Sequence, residues 1–193
     1  MFCLRSKLSA VLAGAMAAAL VSTPAHGAEA VFVDDRRDAP ARVDIQRVKV
    51  VHNQRAIRTI VKVANLRWAN QYRTADDAVV FVDTDRKRVG PEFYGSFSGN
   101  HWYFGRMRQW RIISSGDPDN PFTGGCRGFR ADYDVRRDRV TFRMPRTDRC
   151  VGTPRRLRVA AYMSHAVGGD YDDLITDWAP ARRTFYRQWV RVG

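Results

Sequence analysis

The chain has 193 residues, and its 33 Lys and Arg against 20 Asp and Glu give a formal charge of +13. This length suits one domain with a hydrophobic core, and a hydrophobic content of 45% excludes a largely disordered chain. The excess is mostly Arg, which favours an anionic partner because guanidinium groups bind phosphate and carboxylate with paired hydrogen bonds. A GC-rich coding sequence would also raise the Arg content. Without a run of five basic residues to form a nucleic-acid-binding arm, we expect no nucleic-acid partner.

Residues 1–30 have the three parts of a cleavable secretory signal peptide. Arg5 and Lys7 precede a charge-free apolar run that is shorter than the roughly 20 residues needed to span a bilayer. Two possible cleavage motifs follow it: Ala25-His26-Gly27 and Ala28-Glu29-Ala30. We therefore predict a signal peptide at 1–30 and a mature domain at 31–193. The mature protein should be secreted or cell-wall-associated, have no membrane span, and be a monomer.

The mature chain keeps two cysteines, Cys126 and Cys150. Export places them in an oxidising compartment, where a disulfide is the default state. Closing this loop would stabilise the fold by about 3 kcal/mol through lost chain entropy in the unfolded state. A metal site is the alternative, and it is disfavoured because no His lies near either Cys.

Short runs of alternating apolar and polar residues predict strands throughout the mature chain. The clearest is a hairpin in which 129–135 and 140–144 flank a turn at 136–138, with the two cysteines at its open end. Other strands are predicted at 45–52, 56–66, 78–82, 93–97, 101–113, 157–163 and 184–190. We expect at most one short helix, around 66–72 or 170–175. This pattern predicts an all-β fold with a single jelly-roll-like β-sandwich and Arg-rich outer faces.

The sequence contains no recognisable catalytic motif. His52, His101 and His165 lack the spacing of a metal-binding pair such as H-E-x-x-H, and no nucleophile motif accompanies them. We therefore expect a noncatalytic protein, and a small secreted hydrolase is the least favoured alternative.

Acidic residues are sparse but clustered. Asp34 and Asp38 open the mature domain, whereas Asp83 and Asp85 follow an apolar strand. Calcium binds several loop oxygens of this kind, so these four residues are the predicted calcium ligands. No loop matches the twelve-residue calcium-binding pattern, and pairing with Arg is the alternative. We expect no other cofactor.

Aromatic residues in a basic stretch form the second candidate site. Exposed Trp and Tyr stack on sugar rings, and Arg beside them would bind anionic groups. The alternative is that most of these aromatics build the core. The predicted ligand-binding residues are Trp68, Trp102, Tyr103, Arg106, Arg108 and Trp110.

Three motifs resemble the group of β-sandwiches that contains DOMON domains and family 9 carbohydrate-binding modules. They are an opening strand Asp44-Ile45-Gln46-Arg47-Val48, an apolar strand ending in Asp83-Thr84-Asp85, and Gly90-Pro91-Glu92-Phe93-Tyr94. The resemblance implies a jelly-roll-like sandwich that binds sugars, haem or metal. The segment Asp177-Trp178-Ala179-Pro180 is also similar to one shared by actinobacterial secreted proteins.

These features together predict a secreted, noncatalytic binding module for an anionic or carbohydrate polymer of the cell wall or extracellular space. The alternative is a structural domain whose basic faces contact an acidic protein.

Overall fold

The computed structural model describes residues 27–34, 37–67, 76–98, 101–107, 110, 126–167 and 173–193. These residues form antiparallel β-strands and one short 3-10 turn, Val135–Arg137. The strands are β1 (Ala28–Val33), β2 (Ile45–His52), β3 (Ala56–Val63), β4 (Asp76–Asp83), β5 (Phe93–Ser98), β6 (His101–Arg106), β7 (Arg130–Asp134), β8 (Arg139–Pro145), β9 (Arg156–Ala166), β10 (Leu174–Ala179) and β11 (Val190–Arg191).

Two sheets pack face to face, which confirms the predicted all-β, single β-sandwich domain. The five-stranded sheet has the order β1-β2-β3-β8-β7. The six-stranded sheet has the order β10-β9-β4-β5-β6, with β11 paired to β9. The described residues contain no helix with the length and apolar character that a membrane span requires.

Alternation along the strands supplies the core between the sheets. On β3, for example, Ile57, Val61 and Val63 are buried while Arg58 is exposed, as the period of two demands. Phe142 and Met144 on β8 join the same core from the next strand. The five-stranded sheet therefore has one apolar face and one polar face.

The predicted hairpin and disulfide are both confirmed. Strands β7 and β8 pair across the 3-10 turn, and Asp138 adopts a left-handed conformation (φ 47°) to complete it. Cys126 and Cys150 form a disulfide at the open end of the hairpin, with 4.6 Å between their Cα atoms. The disulfide therefore lies at the position that the sequence pattern predicted.

The six-stranded sheet differs because its outer face is also covered. Side chains from β4, β5, β9 and β10 pack there against Met107, Trp110 and residues of the irregular segment 181–189. We call this layer the aromatic cover; it comprises Phe81, Tyr94, Met107, Trp110, Tyr162, Trp178 and Phe185. It buries the second side of this sheet.

Three predicted elements differ from the structure. Strand β6 ends at Arg106, before the predicted end at 113, because Met107 leaves the strand and packs in the aromatic cover. The predicted strand at 184–190 is largely irregular for the same reason, since Phe185 turns onto that cover. The helix expected around 170–175 is wrong at Leu174 and Ile175, which pair with β9 as the start of β10.

Strand β1 lies at the boundary of the predicted signal peptide. The apolar run of that peptide is outside the described residues, and its prediction stands untested. β1 begins at Ala28 and pairs with β2 along its whole length. Cleavage after Gly27 would leave the strand intact, whereas cleavage after Ala30 would remove half of it.

Candidate functional site

The predicted aromatic site lies partly on strand β6, at the edge of the six-stranded sheet. Trp68 and Arg108 are outside the described residues. Trp102 is 51% exposed and lies opposite Phe97, so it shares the inner side of β6 with the core. Tyr103 projects from the other side of the strand. The structure therefore does not bring these two rings onto one face.

Arg106 and Trp110 both pack locally. The Arg106 guanidinium lies 5.6 Å from the Phe93 ring centroid, and its Nη2 donates to the Asp148 carbonyl at 2.9 Å. The Trp110 ring is half-buried and lies 4.5 Å from the Phe185 ring, within the aromatic cover. Both contacts fit packing better than an open sugar-binding platform.

The outer face of the five-stranded sheet presents a different candidate. Cross-strand register arranges its side chains in three rows, and each row crosses all five strands. The rows are Val33-Arg47-Lys62-Arg139-Asp134, Val31-Lys49-Ile60-Thr141-Asp132 and Glu29-Val51-Arg58-Arg143-Arg130. We call this surface the cationic face, since it carries seven basic residues against three acidic ones by this register.

Like charges lie directly opposite one another on this face. The register sets Arg58 against Arg143, and Arg143 against Arg130. In another row Lys62 lies between Arg47 and Arg139. Side chains in such positions have Cβ atoms about 4.5–5.5 Å apart, and like charges at that distance destabilise a sheet.

Acidic neighbours neutralise only part of this charge. Lys49 pairs with Glu29 at 2.7 Å, and Lys62 pairs with Asp138 at 3.2 Å. Arg139 contacts Asp134 at 3.3 Å. Among the described residues, four guanidinium groups of the face have no ion-pair partner: Arg47, Arg58, Arg130 and Arg143.

A groove of about 670 Å³ runs over this face. Its lining includes five basic residues of the face and two carboxylates at its border, Asp34 and Asp44. The basic residues are Arg47, Lys49, Arg58, Lys62 and Arg139. The sequence predicted Arg-rich outer faces but selected none of these residues as a site. Their alternation along each strand was visible in the sequence, yet only the strand order shows that β2, β3 and β8 place them side by side.

The predicted calcium ligands separate into two groups. Asp83 is fully buried, its Oδ2 accepts from Arg158 Nε at 2.6 Å, and its Oδ1 accepts from the Asp85 backbone N–H at 3.0 Å. This is the Arg pairing that the sequence left as the alternative. Asp38 instead lies with two acidic residues that the sequence did not select, Asp44 and Asp177.

Burial and negative charge act together in this second group. Burial raises the pKa of Asp44 and of Asp177, and the charges of Asp38 and Asp34 raise both further. Arg37 opposes this effect at Asp44. Asp177 lies on β10 and Asp44 just before β2, so the group joins the two sheets.

The three histidines have separate environments. His52 is fully buried, with Nδ1 at 3.2 Å from the Val190 carbonyl, and burial lowers its pKa. His101 is exposed beside the Tyr103 ring. His165 lies opposite Ile175 on one side and Asp76 on the other in the sheet register.

A second basic cluster surrounds Trp189, which was not among the predicted ligand-binding residues. The guanidinium carbons of Arg86, Arg156 and Arg158 lie 5.0, 5.3 and 5.0 Å from a ring of its indole. Because stacking on the ring and the Asp83 ion pair engage these groups, they are less available than those of the cationic face.

No known protein family, curated protein or solved structure matches this chain at a significant level. The resemblance to the DOMON and carbohydrate-binding-module group thus remains an expectation based on short motifs.

Proposed function

We propose that the protein is an exported, noncatalytic binding module whose cationic face binds an anionic polymer of the cell wall or extracellular space. The observation that carries this proposal is the set of like-charged residues placed opposite one another, of which the pair Arg58 and Arg143 is the clearest.

Like-charge pairs of this kind lower the stability of a sheet, and the fold itself gains nothing evident from them. Thr or Ser at these exposed strand positions would pair without repulsion. A bound polyanion would convert the repulsion into attraction, because each ligand charge lies between two guanidinium groups. The arrangement is thus easier to explain by binding than by folding.

The spread of the charges favours an extended ligand. Neighbouring strands are about 4.8 Å apart, and alternate residues along a strand are about 6.8 Å apart. The basic residues on β2, β3, β8 and β7 therefore cover about 14 Å in each direction by these spacings. One small anion would contact only two or three of them, whereas a chain with repeated phosphate or carboxylate groups would contact most.

The composition of the face favours an anionic ligand over a neutral sugar. Neutral sugars are recognised largely by stacking on exposed aromatic rings. None of the three described rows contains an aromatic residue. Arg supplies most of the positive charge, and its planar group binds phosphate or carboxylate with two hydrogen bonds.

The disulfide supports the same setting. Cys126 and Cys150 are bonded, as expected for a protein that works in an oxidising compartment. Together with the predicted signal peptide, this makes a wall or extracellular polyanion a more suitable partner than an intracellular one.

Chromatography on immobilised polymers tests the proposal. The mature protein should be retained at low salt by teichoic acid and by polygalacturonate, and should elute as salt rises because ion pairs are screened. A neutral glucan column should not retain it. Absence of retention on both polyanions at low salt would overturn the proposal, as would tighter binding to duplex DNA than to either.

A matched pair of double variants locates the binding surface. Arg58→Gln with Arg143→Gln should weaken polyanion binding by at least about 10-fold and lower the slope of log affinity against log salt by roughly two. Arg183→Gln with Arg187→Gln removes the same charge from an exposed segment away from this face, and should have less than about a 2-fold effect. Equal losses in the two proteins would indicate attraction by net charge alone.

A further inference from the structure

Three carboxylates converge where the two sheets meet at one end of the sandwich. One oxygen each from Asp38, Asp44 and Asp177 lies within 4.8 Å of the other two. Asp44 and Asp177 are buried, and Asp38 is exposed. The buried pair therefore has an opening toward solvent on the side of Asp38.

Backbone hydrogen bonds fix this arrangement. Asp177 Oδ2 accepts from the Ile45 N–H at 2.7 Å, and its Oδ1 accepts from the Trp178 N–H at 2.6 Å. A turn holds Asp44, whose N–H donates to the Pro40 carbonyl at 3.0 Å. The two buried carboxylates are thus positioned from opposite sheets before any ligand binds.

Asp44 lacks the partner that a buried carboxylate requires. It is 4% exposed, and its Oδ1 is buried without a hydrogen-bond partner among the described residues. Asp34 lies close enough to act electrostatically on both Asp44 and Asp177. Arg37 is the cation that acts on Asp44, and it only partly offsets the burial and the acidic neighbours that raise the pKa of this carboxyl. An unpaired buried charge costs several kcal/mol unless a counter-ion compensates it.

We propose that Asp38, Asp44 and Asp177, with Asp34 beside them, bind a calcium ion that links the two sheets. Calcium accepts six to eight oxygen ligands at 2.3–2.6 Å, so oxygens up to about 5 Å apart can share one ion. Magnesium requires distances near 2.0–2.1 Å and a regular octahedron, which the fixed Asp177 carboxylate does not favour. Asp44 Oδ1 would gain the partner that the protein does not supply. Asp34 and Asp44 also border the groove of the cationic face, but this inference does not depend on polymer binding there.

Thermal unfolding of the mature protein tests the site directly. After treatment with chelator, the protein should melt about 5–10 °C higher once calcium is added about 100-fold above its dissociation constant. Magnesium at the same concentration should produce less than half of this shift. Terbium, a luminescent substitute for calcium, should show emission sensitised by the neighbouring Trp178. No shift with calcium, or an equal shift with magnesium, would overturn the assignment.

Asparagine variants separate a cation ligand from a structural residue. Asp44→Asn should remove the calcium shift and weaken terbium binding at least about 10-fold, while the chelated protein keeps its stability because repulsion is relieved. Asp38→Asn, at an exposed position, should weaken binding without any folding defect and serves if the first variant does not fold. Asp173→Asn is the matched control and should respond like the wild type. A calcium shift that survives in both Asp44→Asn and Asp38→Asn would contradict the site.

Discussion

The outer face of one sheet is covered by other residues of the chain, whereas the outer face of the other sheet is open. The six-stranded sheet buries its outer face under aromatic residues, with Phe81 stacked on Trp178 at 5.6 Å and Trp110 packed on Phe185. The five-stranded sheet leaves its outer face open and covers it with basic residues that lie opposite one another. Packing explains the first face completely. Packing gives no such reason for the like-charged pairs of the second face, which is why we propose that it binds a polyanion.

We infer that this difference separates residues that stabilise the fold from residues that bind a ligand. Aromatic residues in a basic sequence predicted a binding platform, yet Trp110 packs in the aromatic cover, and Trp102 and Tyr103 lie on opposite sides of β6. The Arg residues predicted only general attraction to anions, yet strand order concentrates them on one surface. Substitutions in the aromatic cover should therefore lower stability more than binding. Substitutions on the cationic face should lower binding more than stability.

The largest effect on stability is expected at the aromatic cover. Trp178 is 8% exposed, and its replacement by Ala should lower the free energy of unfolding by about 3–5 kcal/mol, because a large cavity replaces three ring contacts. Trp102→Ala, at a half-exposed position of β6, should lower it by less than about 1 kcal/mol. Urea denaturation under oxidising conditions measures both. Similar losses in the two variants would contradict the distinction between covered and open surfaces.

A smaller effect on stability is expected from His52. This residue lies on the inner side of β2, whose outer side carries residues of the cationic face. Burial lowers the pKa of His52, so the folded state resists protonation of this ring. Below the unfolded-state pKa of about 6.5 the unfolded chain gains a proton that the folded chain resists, so acidification lowers stability. The contribution of His52 to the slope of the free energy of unfolding against pH approaches about 1.4 kcal/mol per pH unit. Arg146 acts on His52 in the same direction.

Comparison with His52→Leu isolates this contribution. Asp44, Asp177 and Glu92 have raised pKa values, so their protonation in acid works in the opposite direction in both proteins. As the pH falls from 7 to 5.5, the free energy of unfolding of the wild type should therefore decrease relative to that of His52→Leu. Parallel pH profiles in urea unfolding would show that the pKa of His52 is the same in the folded and unfolded states.

The smallest effect is expected from a single substitution on the cationic face. Arg143 lies between Arg58 and Arg130, and replacing it with Thr should raise the free energy of unfolding by about 0.2–1 kcal/mol as repulsion is relieved. High salt should shrink this gain because it screens the repulsion. A clear loss of stability at low salt would mean that Arg143 serves the fold.

The sequence was sufficient for the strands whose alternation is clean. Strand β2 was predicted with its observed limits, and the β7-β8 hairpin with its disulfide was predicted from alternation and the turn residues. Strand β10 was missed because Ile175 and Ala179 are its only apolar inward residues, and acidic residues precede it. Met107 and Phe185 lie in predicted strands but leave them to pack on the outer face of the six-stranded sheet, which local periodicity cannot reveal.

The sites were harder to predict because strand order creates them. Asp44 and Asp177 are more than a hundred residues apart in sequence and meet only because β2 and β10 lie at the same end of the sandwich. Arg58 and Arg143 become neighbours only because β3 pairs with β8. Asp34 and Asp38 gave a usable acidic signal, whereas Asp83 carried the same signal and proved to pair with Arg158.

We propose that the like-charged residues of the cationic face lower the stability of the fold and serve binding. Measuring unfolding with and without a polyanion tests this most directly. Without polymer, Arg58→Gln with Arg143→Gln should be at least as stable as the wild type. With saturating teichoic acid, the wild type should gain stability through mass action while the variant gains little. If the variant is less stable without polymer and both proteins gain equally with it, the face serves the fold and the polymer binds elsewhere.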